Sequence, residues 1–105
     1  MPLDQELKKR LRGIGHRLHP VVTVAGSGLS AGVCAEAERA LADHELIKVR
    51  FAIADREQRR ALTREFCLQL RAQAVQEIGR ILLVYRPNPD ADTRLSNIKR
   101  GVTAS

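Results

Sequence analysis

Val21-Val22-Thr23-Val24-Ala25-Gly26-Ser27-Gly28-Leu29-Ser30-Ala31-Gly32-Val33 reads as a strand, a bare loop and the start of a helix. Four β-branched residues suit a pleated strand. The small residues after them let the backbone turn with little side-chain cover. Ser30 stands where a helix N-cap is expected, its hydroxyl placed to accept from a backbone N–H of the first turn. A strand feeding a helix through a short loop is half of a βα unit and points to an α/β fold. The same geometry has a chemical consequence. Helix N-termini carry unpaired N–H groups and the positive end of the peptide dipole, and a bare loop lets a phosphate reach them.

Upstream, Leu3, Leu7, Leu11, Ile14 and Leu18 recur at helical spacing, which predicts a first helix over about residues 3–18. Lys8, Lys9, Arg12 and Arg17 fall mostly off that stripe, and Gly13 and Gly15 weaken its last turns. His19-Pro20 ends it, because the residue before proline avoids the helical region. Downstream, a second helix is expected from about Ala31 to Asp43, its small core face made by Val33, Ala37, Ala40 and Leu41. The run from Leu46 to Ile53 is the clearest strand. Ile47, Val49, Phe51 and Ile53 point one way and Lys48 and Arg50 the other.

Asp55 and Gln58 then form a capping box for a third helix, expected to run to about Ala72. Leu62, Phe66 and Leu70 give its buried stripe; Arg56, Arg60, Arg64 and Arg71 lie mostly on another face, with Arg59 nearby. The runs Val75 to Ile78 and Ile81 to Arg86 flank Gly79-Arg80 as a tight hairpin, and Pro87-Asn88-Pro89 closes the last strand. The predicted order is α-β-α-β-α-β-β in a single compact α/β domain. Its sheet is mixed and four-stranded with helices packed on it, the parallel pair joined by right-handed crossovers. Residues 1–88 are assigned to the domain and 89–105 to a flexible polar tail, in which Leu95, Ile98 and Val102 form a weak apolar stripe.

A chain of 105 residues, 44% hydrophobic, supports one modest core. Its net charge of +6 directs attention to polyanions: nucleic acid, an anionic membrane or an acidic protein. No apolar run approaches the roughly 18 residues of a spanning helix, and the polar start Met1-Pro2-Leu3-Asp4-Gln5-Glu6 does not read as a signal peptide. Cys34 and Cys67 sit in predicted helices among apolar neighbours, so they read as buried, reduced thiols in a cytoplasmic protein. His16, His19 and His44 have no metal-binding spacing with them. With no Walker loop, paired-carboxylate motif or activated thiol, the expectation is no enzyme, no metal, no cofactor and no small-molecule substrate.

Three stretches carry a family resemblance. They are Leu11-Arg12-Gly13-Ile14-Gly15-His16-Arg17-Leu18-His19-Pro20-Val21-Val22, Gly28-Leu29-Ser30-Ala31-Gly32-Val33, and His44-Glu45-Leu46-Ile47-Lys48-Val49-Arg50 with the later Ile78-Gly79-Arg80-Ile81-Leu82-Leu83-Val84-Tyr85-Arg86. Together they resemble the CRM-domain family, whose small stand-alone bacterial members are the YhbY-like proteins, over about residues 3–88. The resemblance implies a fold similar to the C-terminal domain of translation initiation factor three. It also implies RNA binding and association with precursors of the large ribosomal subunit. The family loop usually reads G-x-x-G, often with a basic residue inside. Here Ala25-Gly26-Ser27-Gly28 has alanine at the first glycine and no charge, and His19 stands where lysine is frequent.

These readings assign RNA contact to the loop Ala25, Gly26, Ser27 and Gly28, and to Lys8, Lys9, Arg12 and Arg17 on the first helix. Arg56, Arg60 and Arg64 on the third helix either form a phosphate-contacting stripe or are a solvated face paired locally with Glu57 or Glu65. Lys48 and Arg50, with Arg80 and Arg86 of the hairpin, add a third basic surface if that sheet face is open. A helix lying on the face would instead make the long side chains snorkel out. With one tyrosine, two phenylalanines and no tryptophan, recognition of backbone and shape is expected rather than a code built on aromatic stacking. The expected partner is RNA, specifically rRNA in pre-large-subunit particles, bound by a monomer away from membranes. The alternative is an adaptor whose basic surface meets an acidic ribosomal or assembly protein.

Overall fold

Asp4 opens the first helix: its carboxylate accepts from the Leu7 N–H at 2.7 Å and caps α1 (Gln5–Gly15). The computed structural model describes residues 3–103, with side chains for 3–100. Met1, Pro2, the side chain of Val102 and the end of the tail therefore lie outside the described residues. The remaining elements are β1 (Pro20–Val24), α2 (Ala31–His44), β2 (Leu46–Phe51), α3 (Arg56–Leu70), β3 (Gln73–Ile78), β4 (Ile81–Tyr85) and α4 (Asn97–Thr103).

The four strands form one sheet in the order β1-β2-β4-β3. Strands β1 and β2 are parallel, and β2–β4 and β3–β4 are antiparallel. This is the expected α-β-α-β-α-β-β order and mixed four-stranded sheet, with a short fourth helix added. The alternation read in β2 sorts the two faces. Ile47, Val49 and Phe51 lie with Val22, Val24, Leu82 and Val84 under Ala37 and Leu41 of α2 and Phe66 and Leu70 of α3. Phe51 and Phe66 meet edge to face at 5.8 Å between ring centres. On the opposite face Leu46, Leu83 and Val75 receive Leu11 of α1, with Leu7, Ile14 and Tyr85 packed around them. The helix-spaced stripe of α1 thus covers only one end of its sheet face.

Several boundaries differ from the sequence reading. Helix α1 stops at Gly15 rather than Leu18. Gly15 lies so close to the sheet that an added Cβ would fall 2.6 Å from Cδ2 of the buried Leu83. Strand β1 begins at Pro20, a position an edge strand tolerates. Asp55 is the N-cap residue of α3, yet its side chain makes no capping hydrogen bond, so the expected box does not close. Helix α3 ends at Leu70 because Arg71 adopts the left-handed conformation, φ 55°. Gly79 supplies the positive φ, 58°, that a two-residue hairpin needs at its first turn position.

Residues beyond Asn88, read from their polarity as a loose tail, carry a dense set of bonds to the α2–β2 junction. Glu45 there has φ 63° and is buried, 4% exposed. Its carboxylate accepts from the Asn88 N–H at 2.6 Å and from the hydroxyl of fully buried Ser96. Asn97 Nδ2 donates to the Leu46 carbonyl at 2.7 Å, and His44 Nδ1 donates to the Leu95 carbonyl at 2.8 Å. Lys99 Nζ bonds the Asn88, Pro89 and Ala91 carbonyls and lies 3.9 Å from Glu45. Partners 51 residues apart in sequence leave no local signal, which is why polarity alone suggested looseness.

Candidate nucleic-acid interface

Parallel pairing of β1 with β2 puts the C-terminal ends of both strands at one end of the sheet. The registers Val24↔Phe51, Arg50↔Ile81 and Ile78↔Ile81 bring the β3–β4 turn to that same end. Backbone bonds lock the three connections together: Ala52 N–H to the Val24 carbonyl at 2.8 Å and Phe51 N–H to the Arg80 carbonyl at 2.7 Å. The loop at 25–28, the start of α3 and Arg80 are therefore neighbours, although they are far apart in the chain.

The loop is a tight turn closed by a Gly28 N–H bond to the Ala25 carbonyl at 2.9 Å. Ala25, Gly26 and Ser27 are exposed. Only Gly28 has positive φ, 77°, so this is the glycine the backbone requires, and alanine fits at 25 without strain. Gly26 faces open space and does not use its conformational freedom. Ser30 caps α2 as read, accepting from the Val33 N–H at 3.2 Å.

Arg56, Arg60 and Arg64 follow one another at helical spacing along α3, and all are exposed. Arg56 and Arg60 line a hollow of about 310 Å³ with Arg59, Gly79 and one acid, Glu77. Arg59 is partly structural, because its Nη1 donates to the Ile53 carbonyl at 2.8 Å. The sheet face above Leu83 settles the choice between an open and a covered surface in both directions. Lys48 is half-buried beside the end of α1, whereas Arg50 is exposed beyond it. Arg12 and His16 overhang this part of the face. Lys8 and Lys9 sit further back along α1, half-buried and exposed respectively.

Two expected contacts lie elsewhere. Arg17 lines a hollow with His19, His44 and Arg100 near the start of β1, at the opposite end of the sheet from the loop. Arg86 is engaged inside the fold: its guanidinium pairs with Glu38 and donates to the Leu70 carbonyl at 2.9 Å. The hydrogen bonds that Arg86 donates to the Glu38 carboxylate, and secondarily the arginine's charge, hold the Glu38 carboxyl below the usual glutamate range. Arg86 thus ties α2, the end of α3 and β4 together. Tyr85 is half-buried in the second core, and burial raises its hydroxyl's pKa.

Cys34 and Cys67 are free, half-buried thiols packed against the larger core. Burial, with Glu77 adding to it, pushes the Cys67 thiol up, away from the thiolate a nucleophile needs. Among the described residues no three His, Cys, Asp or Glu side chains gather as a metal site, and no helix is long and apolar enough to cross a membrane.

Comparison with known proteins finds relatives over most of the chain. A Pseudomonas aeruginosa protein named as a probable RNA-binding protein is 57% identical over 100 residues, covering 95% of this chain and 96% of that one. A Haemophilus influenzae protein named as an RNA-binding protein is 45% identical over 93 residues, 89% of this chain and 94% of that one. The solution structure of a hypothetical protein from Staphylococcus aureus superposes with a TM-score of 0.74 at 23% identity, over 87% of this chain and 95% of that one. The model of the CRS1 / YhbY (CRM) domain matches residues 3–86, from the start of α1 through the end of the hairpin, and the chain belongs to that family, which is not a family of enzymes.

Proposed function

We propose that this protein binds RNA, and that its RNA is rRNA in precursors of the large ribosomal subunit. The observation that carries the reading is the meeting, at one end of the sheet, of the bare 25–28 loop, the arginines opening α3 and Arg80. Relatives covering nearly the whole chain and named for RNA binding support it. The loop backbone approaches the phosphates, and Arg56, Arg60, Arg64 and Arg80 supply charge around it. Arg12, Lys48 and Arg50 extend the surface over the sheet, with Lys8 and Lys9 along α1. Arg86 serves the fold instead. The large-subunit target rests on the family resemblance, in a cytoplasmic, monomeric protein.

Ser27→Asp tests the loop more cleanly than any change at Gly28, because Ser27 is exposed while Gly28 is held at φ 77°. It should weaken binding of an rRNA fragment about threefold to tenfold in fluorescence anisotropy, with an unchanged melting temperature. Equal affinity in variant and wild type removes the loop from the interface. For the cellular target, crosslinking followed by sequencing of the attached RNA should recover large-subunit rRNA. Recovery of unrelated transcripts alone would contradict the assignment.

A further inference from the structure

Beyond the end of α1 the sheet face carries a groove of about 210 Å³. Its floor is aliphatic: Ile78, Ile81 and Leu83, with Ile78 65% exposed. Its rim is basic and polar: Arg12 and His16 from α1, Lys48 from β2 and Gln76 from β3. None of the described residues lining it is acidic; Glu77, the next residue along β3, lines the hollow beside α3. The groove exists because Gly15 ends α1 in close contact with Leu83, leaving Ile81 and Ile78 without a helix above them. Ile81 is the cross-strand partner of both Arg50 and Ile78, so the groove reaches the pair that flanks the turn at Gly79-Arg80.

We infer that this groove takes one unpaired nucleotide of the bound RNA, its base lying on the Ile78–Ile81 floor and its phosphates against Arg12, Lys48 and Arg50. The inference rests on the RNA-binding reading above and adds a preference within it. An apolar floor inside a cationic rim matches a flat apolar body with an anionic edge. The volume is below the roughly 300 Å³ of drug-sized pockets, which suits a single base. Gln76 offers both a donor and an acceptor at the rim for a base edge. An A-form duplex presents phosphates and sugars but no free base face, so it gains the rim and not the floor. A second copy of this chain would bring a like-charged rim to the same surface.

The variant Ile78→Ser leaves the charge unchanged and alters an exposed side chain. Its affinity for an unstructured oligouridine of about twelve nucleotides should fall about fivefold to tenfold. Its affinity for a duplex RNA of equal length should stay within about twofold, and Ile78→Phe should keep or tighten oligouridine binding. Oligouridine carrying one 4-thiouridine should crosslink in the wild type to the tryptic peptides Ala72–Arg80 or Ile81–Arg94. The groove assignment is overturned if Ile78→Ser binds both RNAs like the wild type and no crosslink falls in those peptides. It is equally overturned if Ile78→Ser loses affinity only for a labelled Asp-Leu repeat peptide, which would give the groove to an acidic protein segment. Wild-type protein that binds neither RNA refutes the RNA-binding reading itself, a result distinct from both.

Discussion

Gly13 and Gly15 stand two residues apart in α1, yet they demand opposite outcomes on substitution. An added Cβ at Gly13 meets nothing within 4 Å, so Gly13→Ala should stabilise the protein by about 0.5–1 kcal/mol through helix propensity. At Gly15 the Cβ would press on buried Leu83. Overpacking of about 1–3 kcal/mol there exceeds the propensity gain, so Gly15→Ala should melt lower than wild type. Urea titration of both variants checks the pair. A residue-scale effect also governs acid stability. The Glu38 pKa is lowered in the folded state, so the pair with Arg86 contributes stability at pH above the ordinary glutamate range. That contribution is lost as pH falls through the lowered value. Glu38 is mostly exposed, so the effect is limited to about 1 kcal/mol or less. Glu38→Gln should lower stability by up to that amount at neutral and alkaline pH and converge on the wild type at acid pH, which flattens the acid limb of the stability curve; identical acid limbs would show that the pair is energetically silent.

At the scale of elements, the strap from Asn88 to α4 is held by polar groups that have lost water. Ser96 is fully buried, bonds Glu45 and accepts from the Ile98 and Lys99 N–H groups at 3.2 Å. Ser96→Ala leaves Glu45 short of a donor and α4 short of its cap, at a cost of about 1–3 kcal/mol. Native-state hydrogen exchange should then show residues 88–100 opening first, and unchanged protection there would contradict this role. The strap marks where sequence reading stops. The stripe of Leu7, Leu11 and Ile14 and the alternation of β2 are periodic, and periodicity is a local signal, so α1, β2 and their buried faces were legible. The Glu45–Ser96 bond joins residues 51 positions apart, and nothing near Ser96 announces it. The nucleotide groove was equally hidden, because it depends on where α1 stops above the sheet and not on any motif.

Across the whole molecule, charge is sorted by topology. The loop, α3 and the hairpin turn gather at one end because β1 and β2 run parallel and β4 runs back between β2 and β3. The basic residues were legible one by one, but their grouping was not. Arg17 and Arg86, alike in sequence to the others, fall respectively at the far end and inside the fold. Arg39 on α2 gives an internal control, since it lines a separate hollow with Glu36 and Asp43 and its charge is offset locally. The most direct measurement is RNA affinity against salt for the wild type, for the double variant Arg56→Gln/Arg60→Gln, and for Arg39→Gln. The wild type should lose affinity steeply as salt rises, and the double variant should bind more weakly with a slope shallower by about 1–2, while Arg39→Gln keeps the wild-type slope. A flat wild-type slope, or the same loss from Arg39→Gln as from the α3 pair, would contradict an interface built at the loop end of the sheet.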